Sequence, residues 1–241
     1  MYKKMQLLLI VAVIAMTAAL LTGPAAATPI TLANNSFQSN IVGDGAATTT
    51  ITNWSKELPD SHLEVYNPTS ADFSGADGNN ALPSPADGSQ CVYNNSTVPD
   101  AISFYNALRG DNFFLEAGMK YTATVAVGRG LTLHGGTFGG VSLGFYDLSG
   151  AGEVDGNATL IGAPAAGSFQ DFSISFNADD IIDNDTVFAG DSMAVRITLQ
   201  EQTYVDNVRI DASPVPEPST MVLLTSGVLG LLADAWRRRR T

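Results

Sequence analysis

Residues 121–127, YTATVAV, place Tyr121, Ala123, Val125 and Val127 on one side of an extended chain and Thr122, Thr124 and Ala126 on the other. Apolar side chains that return at every second position mark a strand with one buried face, because an amphipathic helix would bring them back every three or four. FSISF (172–176) repeats the pattern with Phe172, Ile174 and Phe176, and MAVRITL (193–199) with Met193, Val195, Ile197 and Leu199. PITLA (29–33), TTTITNW (48–54), HLEVY (62–66), QCVYN (90–94), VSLGFY (141–146), ATLIGA (158–163) and YVDNVRI (204–210) have the same character. Turn formers separate them, as in GADGNN (75–80), SPADGSQ (84–90) and SGAGEVDGN (149–157). No segment from Thr28 to Pro214 has helical periodicity. About ten short strands joined this way predict an all-β fold of two packed antiparallel sheets, a β-sandwich of jelly-roll type.

The 241 residues, 45% of them apolar, are enough for one domain of this kind with a substantial core. The net charge of −12 is uneven: residues 28–214 hold 22 acids against 6 bases. That excess argues against nucleic acid as a partner, since phosphate must be met by a basic surface. Cys91 is the single cysteine, so there is no internal disulfide, and its place in QCVYN predicts a buried, small apolar side chain. His62 and His134 are the only histidines, and no nucleophile elbow, zinc-binding helix or phosphate-binding glycine loop is present.

Each end carries a targeting pattern. MYKKMQ is cationic, LLLIVAVIAMTAALL is an uncharged, mostly apolar run, and GPAAA offers small residues, which together read as a signal peptide over 1–27. Cleavage by signal peptidase is expected after Ala27, with Ala25 and Ala27 as the small pair. At the other end, residues 220–233 carry no charge. As a helix they would span about 21 Å, short of a hydrocarbon core of roughly 30 Å. Arg237, Arg238, Arg239 and Arg240 follow after Asp234, Ala235 and Trp236, and the positive-inside rule keeps such a cluster cytoplasmic. The chain thus divides into a signal peptide (1–27), a sandwich domain (28–213) and a sorting tail (214–241). The precursor is expected to be held at the inner membrane with its body on the far side.

VPEPST, a short Gly/Leu-rich hydrophobic segment and a terminal arginine cluster, in that order, resemble the PEP-CTERM sorting signal of Gram-negative bacteria. The resemblance implies recognition by an exosortase-like protease around Pro216, Glu217 and Pro218, followed by release or attachment at the cell surface. The two prolines keep that segment extended, a conformation a protease can bind. Asp234 and Trp236 depart from the usual junction between apolar run and basic cluster.

NNSFQ (34–38), LPSPADGSQC (82–91), AGMKYTATVAVG (117–128) and the closing YVDNVRI resemble galactose-binding-like sandwiches, the fold of many carbohydrate-binding modules. In that family the opening segment and the final Asp-Asn-Val strand lie side by side. A structural Ca²⁺ between them would here fall to Gln38 and Asp206. The family pattern has a glutamate where this chain has Gln38, which removes one negative ligand. Asp179, Asp180, Asp183 and Asp185 in NADDIIDNDT (177–186) could gather oxygens around Ca²⁺ but read first as a solvated, turn-forming loop, and Asp147, Glu153 and Asp155 could bind an ion or belong to a long hairpin connection.

Three functions are consistent with these features. The first is a non-catalytic surface or matrix protein that binds exopolysaccharide or another envelope glycan, with Trp54, Tyr66, Tyr93, Tyr105 and Tyr146 as aromatic faces for sugar rings. The second is a structural protein of biofilm or sheath with no discrete ligand. The third is a calcium-dependent secreted enzyme, cyclase- or glycosidase-like, working through Asp206, since a few sandwiches of this type resemble cyclases that use a carboxylic acid beside bound calcium. The residue pattern favours the first, an exported protein that is not an enzyme.

Overall fold

The computed structural model describes residues 26–215 and residue 227, apart from 58–61, 77–80, 97–100, 108–113, 133–136, 149–151, 161 and 183–186. Residues Ala27–Ser213 form one compact unit. Ala25, Pro216, Glu217, Pro218 and Arg237 to Arg240 lie outside the described residues, whereas Ala27 is described and exposed. Among the described residues no helix is long and apolar enough to cross a membrane.

Unit Ala27–Ser213 is the antiparallel sandwich that the alternation predicts. Its strands are β1 (Thr28–Ile30), β2 (Ala47–Thr48), β3 (Ser55–Lys56), β4 (Leu63–Tyr66), β5 (Cys91–Asn94), β6 (Ile102–Ala107), β7 (Met119–Arg129), β8 (Val141–Asp147), β9 (Gly152–Leu160), β10 (Ser168–Asn177), β11 (Met193–Leu199) and β12 (Tyr204–Pro214). One sheet runs β10-β7-β12-β5-β4-β2, with β1 pairing to β12 beside this path; the other runs β3-β6-β11-β8-β9.

The alternating residues account for the packing. Val65, Val92 and Val205 stand in one row across β4, β5 and β12 and face the core between the sheets. Tyr121, Ala123, Val125 and Val127 of β7 join them, as do Ile174 and Phe176 of β10. From the other sheet come Leu143 and Phe145 of β8, with Val195, Ile197 and Leu199 of β11. The outward residues pair in the ways open to polar groups on a wet surface. Thr124 and Ser173 share a hydrogen bond of 2.7 Å across β7 and β10. Arg196 forks onto Glu57 at 2.5 and 2.9 Å.

Four local expectations are corrected. ISFYNA forms β6, a strand absent from the sequence reading, and Ile102 and Phe104 enter the core. GEVDGNATL forms β9, so the anticipated long connection after β8 is short. TTTITNW contributes only its first residue to β2, because the side chains of Asn34 and Asn40 take up the polar backbone groups of Thr50 and Thr52. The acidic segment opens with one helical turn, α1 (Ala178–Ile182), whose Ala178 and Ile181 are buried.

Candidate active site

All four residues of β5 are buried, so this strand is covered on both faces. Val92 faces the main core, and Cys91 and Tyr93 point the other way into a second apolar cluster. That cluster holds Tyr204 of β12, Phe169 of β10, Ala126 of β7 and the residues Phe73, Ala76 and Leu82, with Tyr66 and Ala86 packed against it. Phe73, Ala76, Leu82 and Ala86 belong to the connection between β4 and β5, which therefore roofs the outer face of the larger sheet.

The roofed face is aromatic. Tyr93 and Tyr204 are register partners on β5 and β12, and their rings stack at 4.3 Å with 15° between planes. Tyr66 lies 5.7 Å from Tyr93, and Phe73 meets Tyr204 edge-on at 5.1 Å while stacking on Phe169 at 4.8 Å. Phe169 in turn lies over its register partner Gly128, where a Cβ would fall 2.5 Å from the ring.

Two carboxyl groups are buried here. Asp72 accepts hydrogen bonds from the Tyr66 hydroxyl at 2.7 Å and the Thr69 amide at 3.0 Å. Asp206 follows Tyr204 by two positions on the same face of β12 and is fully buried. Its Oδ2 accepts from the Asp87 amide at 2.6 Å, and its Oδ1 has no hydrogen-bond partner. Burial pushes the Asp206 carboxyl well above the usual carboxylate range, outweighing the hydrogen bonds from the Asp87 and Asn207 amides, so the acid form is favoured. Burial likewise raises the Cys91 thiol. Tyr93 is pushed up to about 12, chiefly by burial, and its hydroxyl donates to Gln202 Oε1 at 2.5 Å. The Tyr204 hydroxyl, beside that of Tyr93, is buried without a well-formed hydrogen bond.

The opening segment reaches this region as the sequence resemblance implies. The Val208 amide donates to Asn35 O at 2.9 Å, which ties residues 34–38 to β12. The link needs unusual backbone on both sides: Asn34 and Phe37 have φ of 54° and 58°, and Asn207 has φ of 45°. Gln38 ends this segment and turns toward residues 87–90. Its Nε2 donates to the carbonyls of Ser36 at 2.6 Å, Gln90 at 2.9 Å and Asp87 at 3.1 Å, and its Oε1 accepts from the Ser89 amide at 3.2 Å. Gly88, with φ of 79°, lets the amide come this close, since a Cβ there would lie 2.5–2.8 Å from its atoms.

These contacts test whether the residues suit Ca²⁺. The ion takes six to eight oxygens at about 2.3–2.6 Å. Here three converging carbonyls are already engaged by the Gln38 nitrogen, and one oxygen of the single carboxylate, Asp206, is engaged by the Asp87 amide. Among the described residues no group of three or more His, Cys, Asp or Glu could hold a metal. The residues present do not fit the ion.

The five aromatics considered as a glycan platform do not meet. Trp54 is 7% exposed, inside the main core between Phe37 at 5.2 Å and Phe104 at 5.3 Å, so its ring offers no face to a sugar. Its indole N–H donates to Asn34 O at 3.1 Å, which lets so large a ring be buried without an unpaired donor. Tyr66 and Tyr93 lie on the aromatic face, whereas Tyr105 and Tyr146 belong to β6 and β8 of the other sheet. Sequence reasoning missed Asp72, Phe73, Phe169 and Tyr204. Of these, Tyr204 was signalled by its place opposite Val205 in the alternation of β12.

Residues 28–211 match the model of the HpiC1-like family, described as HpiC1 cyclase, and residues 214–240 match the PEP-CTERM protein-sorting motif. Similar solved structures include the apo form of a cyclase from Fischerella sp. (TM-score 0.62, 18% identity, 79% of this chain and 98% of that one). Another is the Stig cyclase Fisc from Fischerella sp. TAU in complex with (3Z)-3-(1-methyl-2-pyrrolidinylidene)-3H-indole (TM-score 0.59, 17% identity, 79% and 100%). A carbohydrate-binding sandwich, the CBM22-1 xylan-binding domain of Paenibacillus barcinonensis Xyn10C, is more distant (TM-score 0.40, 11% identity, 80% and 100%). No curated protein matches the chain. The sorting motif marks an exported protein, sorted to the cell surface through an exosortase-like system. A cyclase model over nearly the whole sandwich overturns the expectation of a non-catalytic domain.

Proposed function

The chain belongs to the HpiC1-like cyclase family, and from that premise we propose that the exported sandwich is an isomerising cyclase whose proton donor is Asp206. The observation that carries this reading is a fully buried carboxyl with an unpaired oxygen, on the face of β12 that Tyr66, Tyr93, Tyr204, Phe73 and Phe169 make aromatic. An acid-initiated ring closure needs both parts. A carboxylic acid whose burial makes it hold its proton to higher pH can deliver that proton to a double bond or an imine nitrogen. The resulting cation is stabilised over tyrosine and phenylalanine faces, worth up to about 2 kcal/mol per ring when water is excluded. Attack by a second π bond of the same molecule closes the ring, loss of a proton restores neutrality, and that proton returns to the carboxylate. Substrate and product are isomers, and no redox partner is required.

The roof over the aromatic face sets the kind of substrate. A molecule that displaces Phe73 and Leu82 from the sheet must itself be apolar and flat, because it replaces their contacts with tyrosine rings. The Fisc relative is bound to an indole compound, so indoles carrying an alkene or imine side chain are the first class to offer. We further propose that the precursor is held at the inner membrane by its C-terminal hydrophobic segment until a cut near Glu217 frees the enzyme to the cell surface.

The test is incubation of the secreted protein with a panel of indole-bearing alkenes and imines, followed by chromatography with mass detection for a product of unchanged mass. Asp206→Asn, with an unaltered circular dichroism spectrum, should lose about 10²–10⁴-fold in rate. Absence of any isomerised product with the wild-type protein, or full turnover by the Asn variant, would refute the assignment.

A further inference from the structure

We propose that the carboxamide of Gln38 does the work of a structural cation, so that this sandwich clasps its opening segment to the final strand without metal. The argument is geometric and independent of the cyclase reading. Three backbone carbonyls, those of Ser36, Asp87 and Gln90, converge on one point from two chain segments far apart in sequence. Carbonyl oxygens that face one another repel unless something positive lies between them. The Gln38 Nε2 occupies that point and supplies the partial positive charge, its two hydrogens serving oxygens at 2.6, 2.9 and 3.1 Å.

The orientation of the amide is fixed by its other end. Oε1 accepts from the Ser89 amide. Turning the group over would set Nε2 against that N–H and Oε1 against the three carbonyls, replacing every attraction with a repulsion. The Asp87 peptide then carries the clasp onward, since its carbonyl accepts from Gln38 and its N–H donates to Asp206. Asn207 closes the ring from below, donating through Nδ2 to Pro85 O at 2.8 Å. A glutamate at position 38 would put negative oxygens toward three carbonyls, an arrangement that demands a cation. Glutamine removes the demand and fills the space.

Thermal melting of the full-length protein, in chelator and in millimolar calcium, tests this with the variants Gln38→Ala and Gln38→Glu. The wild-type midpoint should be the same in both buffers. Gln38→Ala should lower it by about 5–10 °C in both, as expected for a few kcal/mol in a domain of this size. Gln38→Glu should melt lower in chelator and recover with calcium, the behaviour of a site that binds metal only when folded. A wild-type midpoint that rises with calcium and loses that response in Gln38→Ala would overturn the proposal. So would a Gln38→Ala midpoint equal to that of the wild type.

Discussion

Gly128 offers a sharp test of the roofed aromatic face. A glycine inside a strand is normally a weakness, and alanine in its place stabilises by roughly 0.5–1 kcal/mol through the lost freedom of the unfolded chain. Here the added methyl would sit 2.5–2.8 Å from three atoms of the Phe169 ring. The ring is 6% exposed and stacked on Phe73, so it has little room to retreat. Overpacking of this kind costs about 1–3 kcal/mol, which exceeds the entropic gain. Gly128→Ala should therefore destabilise by about 1–2 kcal/mol and lower the melting midpoint by about 2–8 °C, at 2–4 °C per kcal/mol for a domain of this length. The assay is chemical denaturation of the wild type, Gly128→Ala, Phe169→Ala and the double variant as a cycle. Once the ring is gone the same glycine change should be neutral or stabilising. An alanine that stabilises in the presence of Phe169, or a cost that survives removal of the ring, would show that the ring does not lie over Gly128.

Trp54→Ala should cost about 3–5 kcal/mol in unfolding free energy, the price of deleting a large core aromatic, rather than produce a folded protein with a lost ligand. Asp206 holds its proton to higher pH in the folded than in the unfolded chain. Its contribution is thus complete below the unfolded value of about 3.9 and declines as pH rises toward the folded one. Melting midpoints of the wild type should fall relative to those of Asp206→Asn over that rise, and parallel curves would contradict the buried acid. Mass spectrometry of protein recovered from the cell surface should give a C-terminus near Glu217, whereas recovery with Arg240 intact would exclude removal of the tail.

The long strands were legible because each pairs a dry face with a wet one. YTATVAV, FSISF and MAVRITL carry their partners' geometry in their own alternation. ISFYNA escaped because only two alternating apolar positions, Ile102 and Phe104, precede Tyr105 and Asn106. GEVDGNATL is rich in glycine and turn-forming acids, and it pairs with β8 through a register shift between Leu143 and Phe145, so its composition reads as a loop. The candidate site was half legible. NNSFQ and YVDNVRI announced that Gln38 and Asp206 would be drawn into one region. The aromatic face was hidden, because it exists only where the polar, glycine-rich connection between β4 and β5 folds back over Cys91 and Tyr93. Nothing local in GADGNN or SPADGSQ reveals that long-range cover.

The position of β12 has a mechanical consequence. It is the last strand before the sorting tail, eleven residues long, and it lies inside its sheet between β7 and β5, with β1 zipped along it from Thr28↔Ala212 to Ile30↔Ile210. Drag on a body tethered through its C-terminus therefore enters along an interior strand and is shared as shear by ladders on both flanks, instead of peeling an outer strand one rung at a time. Until the cut proposed near Glu217, a pull on the tail of the precursor would thus meet two ladders at once.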